Sequence, residues 1–319
     1  MKTEQAIHSS RLASFSHSGI ALRPSTVFLA LYVLSMPVYC LIRIWGSAAL
    51  VGIATAATAA FLFLFSLSHC IETRGLRRSA LMLGAAFAIA LLMEYLGSRH
   101  GFIFGNYTYT DNLGYKALGQ VPVIIPVAWF MMLYPSWETA GLLTGRILHR
   151  VTKGQGDTVK APPFTFAPFL RVLLAALAMT AWDLSLDPRM VADGNWIWHD
   201  GGAYFGIPLS NFAGWIITSA MIYAVWALLD KGEWRLSTGD SSAPTPITSL
   251  QSQLPIWAYI ITWIGESMAN ALFWGGPLVA LCVWVAMGLF GAPALLILIR
   301  HNRAQHLPSS KHARMSGRV

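Results

Sequence analysis

The sequence predicts an all-α polytopic membrane protein of about eight transmembrane helices, and three observations predict it. Hydrophobic residues make up 55% of the 319 residues and charged residues only 11%, with a mean hydropathy of +0.53; a soluble domain carries about 25% charged residues. The apolar residues gather into runs of about 20, the length a helix needs to cross the hydrocarbon core. Basic residues, finally, collect between alternate runs, as they do on the cytoplasmic side of membrane proteins.

Taken in order, the runs lie at 27–45, 48–68, 79–97, 121–143, 168–187, 207–229, 255–274 and 277–299. With both termini inside, only Arg43, Arg99, Lys116 and Arg189 of the 22 lysines and arginines fall on the outer side. The expected topology is therefore N-in and C-in, in the cell (cytoplasmic) membrane. A basic cytoplasmic tail is expected over 1–26, an eight-helix transmembrane domain over 27–299, and a second basic tail over 300–319. The first run is long enough to remain as an anchor rather than to be cleaved as a signal. Polar stretches at 145–163 and 230–253 read as linkers. The net charge of +8 is thus a topology signal and a contact for anionic lipid. Nucleic acid is not an expected partner, because no basic patch is interleaved with aromatics on a soluble element.

An internal repeat singles out one end of the molecule. Gly105-Asn-Tyr-Thr-Tyr-Thr-Asp111 and Gly194-Asn-Trp-Ile-Trp-His-Asp200 share the pattern G-N-aromatic-x-aromatic-x-D. Eleven residues before each glycine stands an acid, Glu94 or Asp183. After each loop a proline opens the next helix, with a tryptophan seven residues on: Pro122 with Trp129, and Pro208 with Trp215. Seven residues are two helical turns, so each tryptophan lies below its proline on one face. Two helix hairpins are therefore expected, over 79–143 and 168–229, packed about an axis along the membrane normal so that their acids converge. Glu266, Pro277 and Trp284 keep the spacing of a third, degenerate copy over 255–299 that has lost the aromatic loop.

Acids within a membrane are expensive and by default mark function, which makes Glu94 and Asp183 the first candidates. The competing reading is a structural hydrogen bond, or an ion pair with Arg99 or Arg189. Asp187 follows Asp183 by four residues, on the same helix face. Two neighbouring carboxylates at low dielectric resist double ionisation, so one can serve as a proton donor; the plainer reading of Asp187 is a helix end, since Pro188 follows. Glu266 is a third acid or a polar clasp between helices. Asn211 orients water or substrate, or bonds between helices, and Glu138 reads as structural. The loop residues Tyr107, Tyr109, Trp196, Trp198, His199 and Tyr204 fit an interfacial belt. Their spacing also fits an extended segment presenting two rings to one face, where ring faces would stabilise a carbocation.

Other chemistries find no support. Cys40, Cys70 and Cys282 form no C-x-x-C pair, so no disulfide framework or zinc site is suggested. The nine histidines include no H-x-x-x-H grouping, which argues against a di-iron oxygenase. No P-loop or dinucleotide fingerprint occurs, so no cofactor and no metal are expected. Asp183-x-x-x-Asp187 is only half of the paired acidic clusters that a Mg²⁺–diphosphate site usually carries.

Three stretches carry a resemblance: Glu94-Tyr-Leu-Gly-Ser-Arg-His-Gly-Phe-Ile-Phe-Gly-Asn-Tyr-x-Tyr109, Val121-Pro-Val-Ile-Ile-Pro-Val-Ala-Trp129, and Asp187-Pro through Trp196-x-Trp198 to Tyr204-Phe-Gly-Ile-Pro-Leu-Ser-Asn211-Phe-x-Gly-Trp215. Over roughly residues 90–226 the chain resembles the carotenoid-biosynthesis membrane family that includes bisanhydrobacterioruberin hydratase and related hydratases of acyclic carotenoid ends. The resemblance implies a lyase, a hydro-lyase that adds water to a terminal double bond and leaves a tertiary alcohol. A carboxylic acid would protonate the alkene and a second, ionised carboxylate would stabilise the cation and activate water. Glu94 and Asp183 are the expected pair, with Asp187 or Glu266 tuning it; which is acid and which base stays open. Tyr107, Trp129, Trp198 and Trp215 are expected to wall the pocket, with Tyr109, Tyr204 and Asn211 also binding substrate. The implied partners are the carotenoid lipid, the membrane, and other membrane enzymes of the pathway. The alternatives are a prenyl or glycosyl transferase acting on an isoprenoid lipid, and a proton-coupled transporter.

Overall fold

The computed structural model describes residues 22–153, 166–229 and 249–306. Most of both predicted tails and large parts of both linkers lie outside the described residues. Eight helices run through those described: α1 (Pro24–Trp45), α2 (Ala48–Arg74), α3 (Leu76–His100), α4 (Ile124–Lys153), α5 (Phe166–Ala192), α6 (Leu209–Leu229), α7 (Leu250–Phe273) and α8 (Gly276–His306). The rest is loop with four short strands: β1 (Tyr107–Tyr109), β2 (Lys116–Ala117), β3 (Val121–Pro122) and β4 (Trp196–Trp198). The chain is a predominantly helical integral membrane protein.

Six of the helices (α1, α2, α3, α5, α6 and α8) are long and apolar enough to cross a membrane. The other two expected spans, α4 and α7, are long but less apolar, and their place in the bundle explains why. α4 packs against α2, α3, α5, α7 and α8, and α7 against α1, α2, α4, α5 and α8. Enclosed by protein, they can carry polar side chains that face neighbouring helices rather than lipid. Ser136, Thr139 and Thr144 on α4, and Gln253, Thr262, Ser267 and Asn270 on α7, are all buried. α1 and α2, by contrast, leave Leu34, Val38, Leu41 and Ile53 exposed on an apolar outer face.

Helix boundaries overrun the apolar runs. α4 continues to Lys153 and α8 to His306, into segments read as linker and tail. α5 passes through Pro188 to Ala192, so Asp187 lies inside a helix and not at its end. Pro122 does not open α4 either: it closes β3, two residues before the helix, whereas Pro208 directly precedes α6.

Proline within a helix leaves the carbonyl four residues earlier without its N–H partner, and in a membrane that carbonyl must find another donor. Three internal prolines here meet the requirement with side chains. Pro135 frees the Met131 carbonyl, which accepts from Ser66 Oγ at 2.8 Å. Pro255 frees that of Gln251, which accepts from His69 Nε2 at 2.8 Å. Pro188 frees that of Leu184, which accepts from Tyr204 Oη at 2.9 Å. The second of these sets the His69 tautomer: Nε2 carries the proton, and Nδ1 accepts from Tyr134 Oη at 2.7 Å.

α3, α4, α5 and α6 close a ring in which each packs on the next and α6 returns to α3. A charged clamp ties the ring at one end. Glu138 on α4 takes Arg74 Nη2 at 2.6 Å and Arg171 Nη2 at 3.7 Å, and the Arg171 guanidinium lies 3.8 Å from the centre of the Trp137 ring. The opposite end carries the two repeat loops.

Candidate active site

The two loops do not hang side by side; they pair with each other. β1 and β4 form an antiparallel ribbon in the register Tyr107↔Trp198, Thr108↔Ile197 and Tyr109↔Trp196. Thr110 N donates to Asn195 O at 3.0 Å and His199 N to Asn106 O at 2.9 Å, extending the pairing on both sides. The glycines of the motif sit in the left-handed region, Gly105 at φ 118° and Gly194 at φ 70°, which a residue with a Cβ rarely adopts. Alternation along a strand then turns the two rings of each copy to the same face. Tyr107 and Trp196 are buried, Tyr109 and Trp198 half-buried, while Thr108 and Ile197 between them are exposed.

Beneath the ribbon each ring pair grips an acid. Tyr107 Oη and Tyr109 Oη donate to Glu94 Oε2 at 2.6 and 2.7 Å, and Trp129 Nε1 donates to Glu94 Oε1 at 3.1 Å. Trp196 Nε1 and Trp198 Nε1 donate to Asp187 Oδ1 at 2.6 and 3.2 Å, and Asn211 Nδ2 donates to Asp187 Oδ2 at 2.6 Å. Two buried carboxyl groups thus have three donors each, all but one from aromatic side chains. Burial and the neighbouring Glu94 push the Tyr107 and Tyr109 phenols well above their ordinary value, so both remain donors.

Repeat spacing pairs Glu94 with Asp183, but the ring clasp of the second copy goes to Asp187, one turn further along α5. Asp183 stands behind it. Its Oδ2 accepts from the same Asn211 nitrogen at 2.9 Å, and its Oδ1 is buried without a hydrogen-bond partner. One amide nitrogen therefore bridges two carboxyl groups. Among the described residues none of the three acids pairs with a lysine, arginine or histidine. The ion pair with Arg189 that the sequence left open goes to Glu266, at 3.7 Å.

Glu94 and Asp187 line one cavity of about 40 Å³ together with Phe104, Tyr107, Tyr109, Ile125, Ala128, Trp129, Trp182, Leu186, Trp196, Trp198, Asn211 and Trp215. One water needs roughly 10–15 Å³, so the space admits a small cluster of them. Its walls are mostly rings in mutual contact. Tyr107 lies 4.9 Å from Trp198, and Trp182 6.1 Å from Trp215 in an edge arrangement. Phe104 wedges between α3 and α6, where Gly97 and Gly214 leave room for it; a Cβ on either would come within 2.6 or 2.5 Å of its ring.

The structure thus gathers Glu94, Asp187, Asn211, Tyr107, Tyr109, Trp129, Trp198 and Trp215 around one space, with Asp183 adjoining through Asn211. Two of the expected residues lie elsewhere. Glu266 accepts from Ser185 Oγ at 2.7 Å and faces Arg189, on the far side of α5. Tyr204 is absent from the cavity wall and is turned to the Leu184 carbonyl. Trp284, the tryptophan of the degenerate copy, packs on Trp263 at 4.5 Å. Phe104, Trp182 and Trp196 were not among the expected site residues. Trp196 could have been found, because the repeat gives it the same place as Tyr107. Trp182 and Phe104 carry no such signal. Among the described residues no group of three or more His, Cys, Asp or Glu could hold a metal ion.

Residues 26–281 match a family model described as carotenoid biosynthesis protein. A stretch of 202 residues, 61% of this chain, is 28% identical to bisanhydrobacterioruberin hydratase of Haloarcula japonica, and covers 62% of that relative's length. No solved structure matches the chain. With the family model spanning most of its length, the chain belongs to the carotenoid biosynthesis protein family.

Proposed function

We propose that the protein is a carotenoid hydratase, adding water across the terminal double bond of an acyclic carotenoid end. One observation carries the reading: two ring-clasped carboxyl groups, Glu94 and Asp187, face a single small aromatic cavity near one end of a lipid-embedded bundle. The name of the 28% identical relative points to the same reaction class. Among the described residues no cation pairs with these three carboxyl groups, and neighbouring carboxyl groups at low dielectric resist being charged together, so the reading takes one as proton donor and another as base.

The reaction needs nothing else. The alkene π pair takes a proton from a carboxylic acid at the less substituted carbon, and the O–H bond of that acid breaks. The resulting tertiary cation faces the rings of Trp129, Trp198, Trp215 and Tyr107, whose negative faces stabilise it. A water lone pair closes the C–O bond, and a carboxylate takes the released proton. Proton return between the carboxyl groups resets the site, with no change of oxidation state. We assign Glu94 and Asp187 as the reacting pair, with Asp183 sharing charge with Asp187 through Asn211. This moves Asp183 from the reacting pair to a supporting place.

The distribution of lysine and arginine supports placing the cavity on the outer side of the cell membrane, with both termini inside. The two ribbon-linked hairpins are read as true repeats on the strength of the β1–β4 register.

The test is expression in cells that make an acyclic carotene, followed by chromatography and mass spectrometry of the pigments. A new pigment heavier by one water and carrying a tertiary hydroxyl is the expected result. An unchanged pigment set sinks the reading. A product that forms only with Mg²⁺ and a diphosphate or sugar-nucleotide donor would make the protein a transferase instead.

A further inference from the structure

We propose that Tyr204 is a positioning residue: its hydroxyl takes the place of the backbone N–H that Pro188 lacks, and so keeps the helical turn bearing Asp183 and Asp187 in register with the cavity. The turn from Asp183 to Asp187 is the one that Pro188 opens, because a proline at 188 cannot bond to the carbonyl of residue 184 and its ring crowds that carbonyl. Left alone, the freed carbonyl would draw the turn toward any available donor and shift both acids with it. Tyr204 Oη donates to Leu184 O at 2.9 Å. Burial pushes the Tyr204 phenol above its ordinary value, so the donor is not lost to ionisation.

Tyr204 is itself anchored. Its backbone exchanges hydrogen bonds with Ile207, at 3.2 Å from Tyr204 N and 2.9 Å to Tyr204 O. Its ring meets Phe212 edge-on at 5.2 Å, and Phe212 follows Asn211 on α6. The side chain is therefore a strut between the α5 turn that carries the two aspartates and the α6 turn that carries the asparagine bridging them. Ser66 and His69 use the same device under Pro135 and Pro255, but only Tyr204 uses it at the acids.

The inference rests on the hydratase reading for its kinetic readout. Tyr204→Phe removes the hydroxyl alone. Misplacing a reacting group by a fraction of an ångström slows chemistry more than binding, so kcat should fall about tenfold while KM changes less than about twofold. Pro188→Ala returns a backbone N–H to the Leu184 carbonyl. In that background Tyr204→Phe should change kcat by less than about twofold, with Pro188→Ser as the second background if the alanine variant fails to accumulate. Full activity of Tyr204→Phe overturns the proposal, as does an equal loss in both backgrounds. The same cycle read as melting temperature in detergent needs no turnover. Coupling there, in a protein that makes no alcohol, would keep the strut and sink the hydratase reading; absence of coupling in an active protein would sink the strut alone.

Discussion

Trp129 and Trp215 stack face to face, with ring centroids 4.1 Å apart and planes 10° from parallel. Each is the tryptophan seven residues beyond the proline of its own hairpin, so equivalent residues of the two copies meet in the middle of the four-helix ring. Above them the β1–β4 register is centred on Thr108 and Ile197, again equivalent residues. The two contacts describe a local two-fold relation passing through the cavity. Replacing Trp215 by alanine removes one half of the stack and the wall beside Trp182. We expect a loss of about 3–5 kcal/mol, read as a lower melting temperature in detergent, with activity lost even where the protein still folds.

Glu94→Gln and Asp187→Asn keep shape and remove the titratable group. Each should lower hydration by roughly a hundredfold or more, the usual weight of a proton-transfer group. Asp183→Asn should cost clearly less, since Asp183 does not line the cavity. Product formation by each variant at matched protein level is the measurement, and equal losses at 183 and 187 would contradict the assignment.

Removing single donors tests the clasps. Tyr109→Phe deprives Glu94 of a 2.7 Å hydrogen bond and Trp196→Phe deprives Asp187 of one of 2.6 Å. A hydrogen bond contributes about 0.5–1.5 kcal/mol, and about 1.5–3 kcal/mol where the group is charged, as one acid of the pair must be. Rates should fall on the order of tenfold for either change, and the double variant should depart from the product of the two, because Tyr109 and Trp196 face each other across the ribbon with ring centroids 5.7 Å apart.

Gly214→Ala places a Cβ 2.5 Å from the Phe104 ring. Phe104 has little freedom to retreat, with Gly97 touching its other side. Overpacking of this kind costs about 1–3 kcal/mol. Phe104→Leu in the same chain should return much of the lost melting temperature, and failure of that rescue would show that the wedge is not the source.

Protonation by a carboxyl group in exchange with solvent leaves an isotopic record. In ²H₂O the alcohol should carry a single carbon-bound deuterium, on the carbon next to the carbinol carbon. Mass spectrometry and NMR of the product read this directly. Its absence would mean that the new hydrogen does not come from an exchangeable acid.

Much of this architecture is legible in the order of residues. The eight helices of the described residues match the apolar runs, because a helix crossing lipid must satisfy its own backbone and expose apolar side chains. The repeat pointed to the end of the bundle where the ribbon and the cavity lie, and alternation at Tyr107/Tyr109 and Trp196/Trp198 foretold rings on one face of a strand. The limits were equally physical. Sequence spacing matched Asp183 to Glu94, yet one turn of α5 suffices to give the clasp to Asp187, and spacing alone cannot say which of two acids on one face reaches the rings. Tyr204 looked like its aromatic neighbours, and only the freed Leu184 carbonyl explains where it points.

The order of polar and apolar residues by itself determined that the chain enters the membrane, how many helices it forms and where its costly carboxyl groups collect, since these depend on transfer energies along a single strand of sequence. Only the tertiary structure decided that the two loops pair with each other, that α4 and α7 lie innermost, and that Glu94 and Asp187 share a cavity while Glu266 does not. Those outcomes depend on which side chains meet across residues far apart in the chain, and hydrogen bonds and ring contacts of that kind leave no periodic mark in the sequence.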